Sequence, residues 1–217
     1  FDGNHIYKFR AFKENDSIFK GEYWAGKTSY KTFVSKKNDT IKLPDANSLT
    51  YLKEGYDHID FSFPDLDGKL TSLEDEKYKD KIVILQILGT WCPNCMDETR
   101  FFADWYNKNK SQGVEIIGLA YEIKPEFEYA RDRVLTMKEK LNVPYNFLIA
   151  GTSSTKSASE SLPMLNKVMS FPTSIIIDRK GKVRRIHTGF SGPATGIYYE
   201  EFVDDFNQFM EELINES

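Results

Sequence analysis

The chain holds two cysteines and three histidines in 217 residues. Both cysteines fall in Trp91-Cys92-Pro93-Asn94-Cys95, so no framework of structural disulfides staples this fold. A structural zinc site needs four ligands, and His5, His58 and His187 all lie away from ligand spacing to the pair. A C-x-x-C haem attachment requires histidine at 96, where Met96 stands. We therefore expect no metal and no organic cofactor. Long basic stretches are missing and the net charge is −4, which argues against nucleic acid as a partner. No apolar run approaches the roughly 20 residues that cross a bilayer. Internal repeats are absent. The chain opens on Phe1 without a signal-peptide pattern, and the expectation is a processed product with any export signal or anchor upstream.

What is present is enough for a core: 40% hydrophobic residues, including sixteen Phe. The length fits one large domain, or one domain with a smaller unit beside it. Residues 1–58 read as a β-rich segment, the possible remnant of a larger domain. Ile6 to Phe12, Ser17 to Trp24 and Tyr30 to Ser35 alternate loosely. Asn15-Asp16, Ala25-Gly26 and Lys37-Asn38-Asp39 supply turn chemistry between them. Leu43 to Gly55 reads as a polar connector.

Residues 59–217 read as an α/β domain. Ile82 to Leu88 is a near-continuous apolar run, suited to a strand buried on both faces. A helix follows from Pro93, whose missing N–H costs nothing in a first turn, and Gly113 stops it. Val114 to Tyr121 is the next strand, Pro125 opens a helix with Ala130, Val134 and Met137 on one stripe, and Tyr145 to Ala150 is a third strand. Gly151 to Ser161 reads as a loop and Leu162 to Met169 as a short helix. Thr173 to Asp178 and Lys182 to Thr188 flank a turn and form a hairpin; a last helix covers Tyr199 to Ile214.

The C-x-x-C pair carries the chemistry. Residues at i and i+3 share a helical face, so the two sulfurs can close a small disulfide and reopen it. Cys92 lies at the helix N-terminus, where unpaired N–H groups and the macrodipole favour a thiolate. It is the expected attacking thiol, with Cys95 resolving the mixed disulfide. Pro93-Asn94 places no cation beside Cys92, so the reduced form is not strongly favoured. The midpoint potential is then expected nearer about −270 mV than about −120 mV, on the side of a reductant.

The ordered set of motifs resembles the thioredoxin fold, and within it the TlpA/ResA-type thiol-disulfide oxidoreductases. The residues carrying the likeness are Phe63 to Lys69 with Ser72-Leu73, Gly89 to Glu98, Gly113 to Gly118, and Phe171-Pro172-Thr173 through Val183. The resemblance implies a central mixed sheet flanked by helices, with a cis-Pro172 opposite the cysteines. Phe171 would then offer its backbone to an extended client, and Trp91 an apolar docking face. Pro93 belongs to the same surface. Ordinary thioredoxins carry a buried Asp six positions before the first Cys; here Gln86 stands there and cannot titrate. The resemblance moves that role to Glu98, through C-x-x-C-x-x-E, as a proton relay to Cys95. Read without the resemblance, Glu98 is a solvated first-turn acid. It also implies a protein disulfide as substrate, a membrane thiol-disulfide electron donor, and an extracytoplasmic setting.

Two other readings stay open at this point. A peroxiredoxin-like peroxidase would need Thr or Ser where Gly89 stands. A non-catalytic binding module or metal chaperone would use the two thiols only to bind.

Overall fold

The computed structural model describes residues 7–25, 29–42 and 44–216. The chain divides into two compact units, Phe1–Pro44 and Asp45–Ser217.

In the first unit, β1 (Tyr7–Asn15), β2 (Ile18–Ala25) and β3 (Ser29–Lys36) form an antiparallel sheet in chain order. Asn15 closes the first turn by accepting the Ser17 N–H on Oδ1 at 2.9 Å, a local bond that competes with strand pairing. Gly21 lies between Ala11 and Phe33 in the register. A Cβ there would sit 2.4 Å from the Phe33 ring. Without one, Phe33 lies over the backbone and stacks on Phe9, ring centres 4.8 Å apart. Ile6, Gly26 and Leu43, which bound an expected strand, turn and connector, lie outside the described residues.

The second unit begins before the expected boundary at 58. Residues 45–58 are not a free connector. The carbonyls of Ala46 and Asp57 accept the N–H groups of Thr188 and Val183, each at 3.0 Å. Thr188 and Val183 end an edge strand, and an uncovered edge would leave those donors unpaired. Thr50 is buried under the same strand, bonded to the Thr188 hydroxyl at 3.0 Å.

A small hairpin of β4 (Phe63–Pro64) and β5 (Leu70–Thr71) precedes β6 (Ile82–Leu88), α1 (Pro93–Asn109), β7 (Val114–Glu122), α2 (Phe127–Lys140) and β8 (Asn146–Thr152). Then come α3 (Thr155–Ser161), β9 (Thr173–Ile177), β10 (Val183–Thr188) and α4 (Ile197–Asn215). The five long strands form one mixed sheet in the order β10-β9-β6-β7-β8. β6, β7 and β8 are parallel; β9 runs antiparallel to β6, and β10 antiparallel to β9.

Every residue of β6 is buried, as a strand covered on both faces requires. Its side chains alternate. Ile82, Ile84 and Leu88 join a core with Phe102 of α1, Val134 of α2 and Phe206 of α4. Val83, Leu85 and Ile87 join a second core with Ala158 of α3, Tyr78 and Leu165. The same alternation turns Gln86 toward α1.

The expected loop and helix between 151 and 169 exchange places. Ser154 caps α3 by accepting the Ser157 N–H at 3.0 Å, so the helix starts inside the Ser/Thr-rich stretch. Pro163 ends helical geometry just after it, because a residue before proline is pushed toward extended backbone. Leu165 instead bridges Leu52. In α4 the fully inward residues are Phe206, Met210 and Leu213, with Phe202 and Phe209 half-buried at the margin.

Candidate active site

The end of β6 leads through Gly89-Thr90-Trp91 straight into α1. Gly89 is small of necessity: a Cβ on it would lie 2.2 Å from the Trp91 indole nitrogen and 2.8 Å from the Tyr121 carbonyl. Trp91 folds back over this gap, donating its Nε1–H to Tyr121 O at 2.8 Å. Its ring meets Phe171 edge-on, ring centres 5.5 Å apart.

Cys92 is the N-cap of α1, in extended backbone, with Pro93 in the first turn. Its Sγ accepts the Cys95 N–H at 3.3 Å and lies 3.8 Å from the Phe171 carbonyl oxygen. Phe171 is joined to Pro172 by a cis peptide bond. Hydrogen bonding from the Cys95 side chain, with the N–H groups of Cys95 and Asn94, lowers the Cys92 pKa against the opposing effect of burial. Burial, followed by the hydrogen bond and charge of Cys92, pushes Cys95 well above the ordinary thiol range. The two sulfurs thus differ in character: one edge of the site favours a thiolate and the deeper position keeps its proton.

Glu98 is fully buried rather than a solvated first-turn acid. Oε2 accepts the Gln86 amide Nε2–H at 2.9 Å, and Oε1 has no hydrogen-bond partner. Burial raises its pKa to about 8, although the Gln86 bond acts the other way. Gln86, which cannot titrate, is thus the carboxyl's hydrogen-bond donor. Its Oε1 accepts the Tyr145 phenol at 2.9 Å and the Thr99 hydroxyl at 3.3 Å.

The structure brings Trp91, Cys92, Pro93, Cys95, Glu98, Phe171 and Pro172 into one region. Sequence reasoning missed Glu122, Thr90 and Tyr145. Glu122 ends β7, buried, and binds both the Thr90 N–H and the Thr90 hydroxyl. The available signal was an acid closing the apolar run Ile116–Tyr121 of a strand that runs parallel to β6. Tyr145 gave no signal, since a tyrosine opening an expected strand reads as ordinary core; the strand itself starts one residue later, at Asn146. Among the described residues, no three His, Cys, Asp or Glu side chains gather as a metal site. No described helix is long and apolar enough to cross a membrane.

Residues 42–199 match the family model described as Redoxin. Among curated relatives, the thiol-disulfide oxidoreductase ResA of Bacillus subtilis is 29% identical over 138 residues, 64% of this chain and 69% of that protein. The ResA protein of Geobacillus thermodenitrificans is 27% identical over 164 residues, 76% and 79% of the two chains. Among solved structures, a thiol-disulfide isomerase from Corynebacterium glutamicum aligns with TM-score 0.56 at 14% identity, covering 76% of this chain and all of that one (100%). A thioredoxin-family thiol:disulfide interchange protein from Chlorobium tepidum aligns with TM-score 0.53 at 19% identity, covering 75% and 99%. These two carry the fold, and the fold is thioredoxin-like. Matched over most of its length, and with its paired thiols at the tip of the central strand, the chain belongs to the Redoxin family and has the dithiol of a thiol-disulfide oxidoreductase.

Proposed function

We propose that this protein reduces disulfides in protein clients outside the cytoplasm, and is itself re-reduced by a membrane thiol-disulfide donor. The observation that carries the reading is the asymmetry of the two sulfurs: Cys92 is favoured as thiolate at the helix N-cap, while Cys95 keeps its proton above a buried carboxyl. The relatives named ResA support the class of reaction.

The steps balance without a cofactor. The Cys92 thiolate attacks one client sulfur; the client S–S bond breaks, and the leaving sulfur takes a proton from water. The ionised form of Glu98, the minor one below about pH 8, then takes the Cys95 proton, and the Cys95 thiolate attacks Cys92 Sγ. The Cys92–Cys95 disulfide forms, the mixed disulfide breaks, and the second client sulfur takes up the proton that Glu98 gives back through water. Two electrons have passed to the client. Trp91 and Phe171 present apolar surface beside Cys92, and the Phe171 backbone is placed for an extended client to pair alongside it.

Trapping tests the reading directly. Cys95→Ser is expected to accumulate a mixed disulfide with a client, and Cys92→Ser to accumulate none. Equilibration of the wild type with glutathione is expected to give a potential nearer about −270 mV than about −120 mV. A value at the oxidant end, or insulin reduction that survives loss of Cys92, overturns it.

A further inference from the structure

Gln86 is two-ended. Its oxygen and nitrogen ends have nearly the same shape and opposite hydrogen-bond character. In this structure the nitrogen end faces Glu98 and the oxygen end faces Tyr145, while the Thr99 hydroxyl reaches both ends. Turned over, the amide would set its oxygen against a carboxylate oxygen, an arrangement that holds only when Glu98 carries a proton to donate. The orientation of Gln86 and the protonation of Glu98 are therefore one coupled choice.

We propose that Tyr145 is a positioning residue for Glu98: its buried phenol, donating to Gln86 Oε1, holds the amide so that Nε2 stays turned to the carboxyl. Tyr145 reaches the carboxyl through the Gln86 amide, which it bonds at one end while Glu98 holds the other. Its ring is fixed independently, stacked on Phe147 with ring centres 5.2 Å apart and edge-on to Tyr106 at 6.2 Å. Burial keeps the phenol protonated, so it remains a donor across the working pH range. The Thr99 hydroxyl serves both ends of the amide, accepting its Nε2–H at 3.1 Å and donating to Oε1 at 3.3 Å, so it favours neither orientation.

The groups that bear on Glu98 are few. The Cys92 and Cys95 thiols lie on its own helix, and Gln86 comes from β6. Tyr145 lies behind Gln86, flanked by Tyr106 of α1. The Lys138 ammonium of α2 is held on the Tyr145 backbone carbonyl at 2.6 Å. Of the two hydroxyls on Gln86 Oε1, the Tyr145 phenol is the nearer, and Thr99 also bonds the opposite end of the amide.

This inference rests on the relay reading of Glu98, and the experiment separates the two. The Glu98 side-chain carboxyl is titrated by carbon-13 NMR in the reduced full chain, while the pH profile of the mixed-disulfide resolution step is recorded in parallel. Tyr145→Phe keeps both ring contacts and removes only the hydroxyl. It is expected to move the Glu98 titration upward by roughly half a pH unit to one unit, the equivalent of an ordinary buried hydrogen bond. Thr99→Val is expected to move it upward by less. Gln86→Leu is expected to move it at least as far as Tyr145→Phe, and combining the two is expected to add nothing more. A Tyr145→Phe titration that stays in place, or a double variant whose shifts simply add, overturns the proposal. If Glu98 moves as expected while the resolution profile ignores Glu98→Gln, Tyr145 still positions the carboxyl and it is the relay that fails.

Discussion

Glu122 grips Thr90 twice, accepting its backbone N–H on Oε1 at 2.7 Å and its hydroxyl on Oε2 at 2.8 Å. The acid comes from the end of β7 and the threonine from the bend between β6 and α1. One carboxyl thus fixes the bend that delivers Cys92. Thr90→Val keeps the shape and strands one buried oxygen, at a cost of about 1–3 kcal/mol. We expect denaturant unfolding to show that loss, and Cys92 alkylation to become less selective over Cys95. Unchanged stability and unchanged selectivity together would remove Glu122 from the account.

Glu98 makes stability fall as pH rises. Its folded pKa, about 8, lies above its ordinary 4.5, so the folded state binds the proton more tightly. The resulting stabilisation is complete below pH 4.5 and is lost as pH climbs through about 8. Glu98→Gln removes a slope of at most about 1.4 kcal/mol per pH unit over that window. Urea midpoints of the two proteins, measured across the window, should converge toward acid and separate toward alkali in favour of the variant. Parallel curves would show that the carboxyl is not protonated in the folded state.

Gly89→Ala is expected to destabilise by about 1–3 kcal/mol through overpacking. The added methyl strikes the Trp91 indole and the Tyr121 carbonyl, so one of them must move. Because Trp91 reports on this gap, its fluorescence should change along with the melting temperature. A stable variant with wild-type emission would mean that the bend has slack the distances do not show.

Residues 45–217 are expected to fold when produced alone. Among the described residues, both buried cores draw only on positions from 59 to 213. Insulin reduction by this fragment should match that of the full chain, and loss of its cooperative unfolding would contradict the division at 44.

The elements of the redox unit were legible because its strands and helices carry strong periodic patterns. Ile82 to Leu88 and the stripe Ala130-Val134-Met137 leave little choice of structure. The exchange of loop and helix near 155 was not legible, since a serine cap inside a Ser/Thr-rich stretch looks like loop composition until its bond to Ser157 is known. Leu43 to Gly55 read as a polar connector because backbone acceptors, such as the Ala46 carbonyl on the strand edge, leave no trace in side-chain composition. The chemistry was visible in Cys92 and Cys95. Its support was not: Gln86, Tyr145 and Glu122 act through contacts between residues far apart in sequence, and one-dimensional spacing does not encode those contacts.

β6 is flanked by β7 on one side and β9 on the other, with both of its faces covered. Its amides are shielded from solvent until the whole unit opens, whereas β8 and β10 at the margins can fray alone. The bend that leads to the sulfurs therefore starts from the best-shielded strand of this sheet. Deuterium should enter the margins long before it reaches Ile84 or Leu85, and warming that loosens those margins should leave the thiols in register.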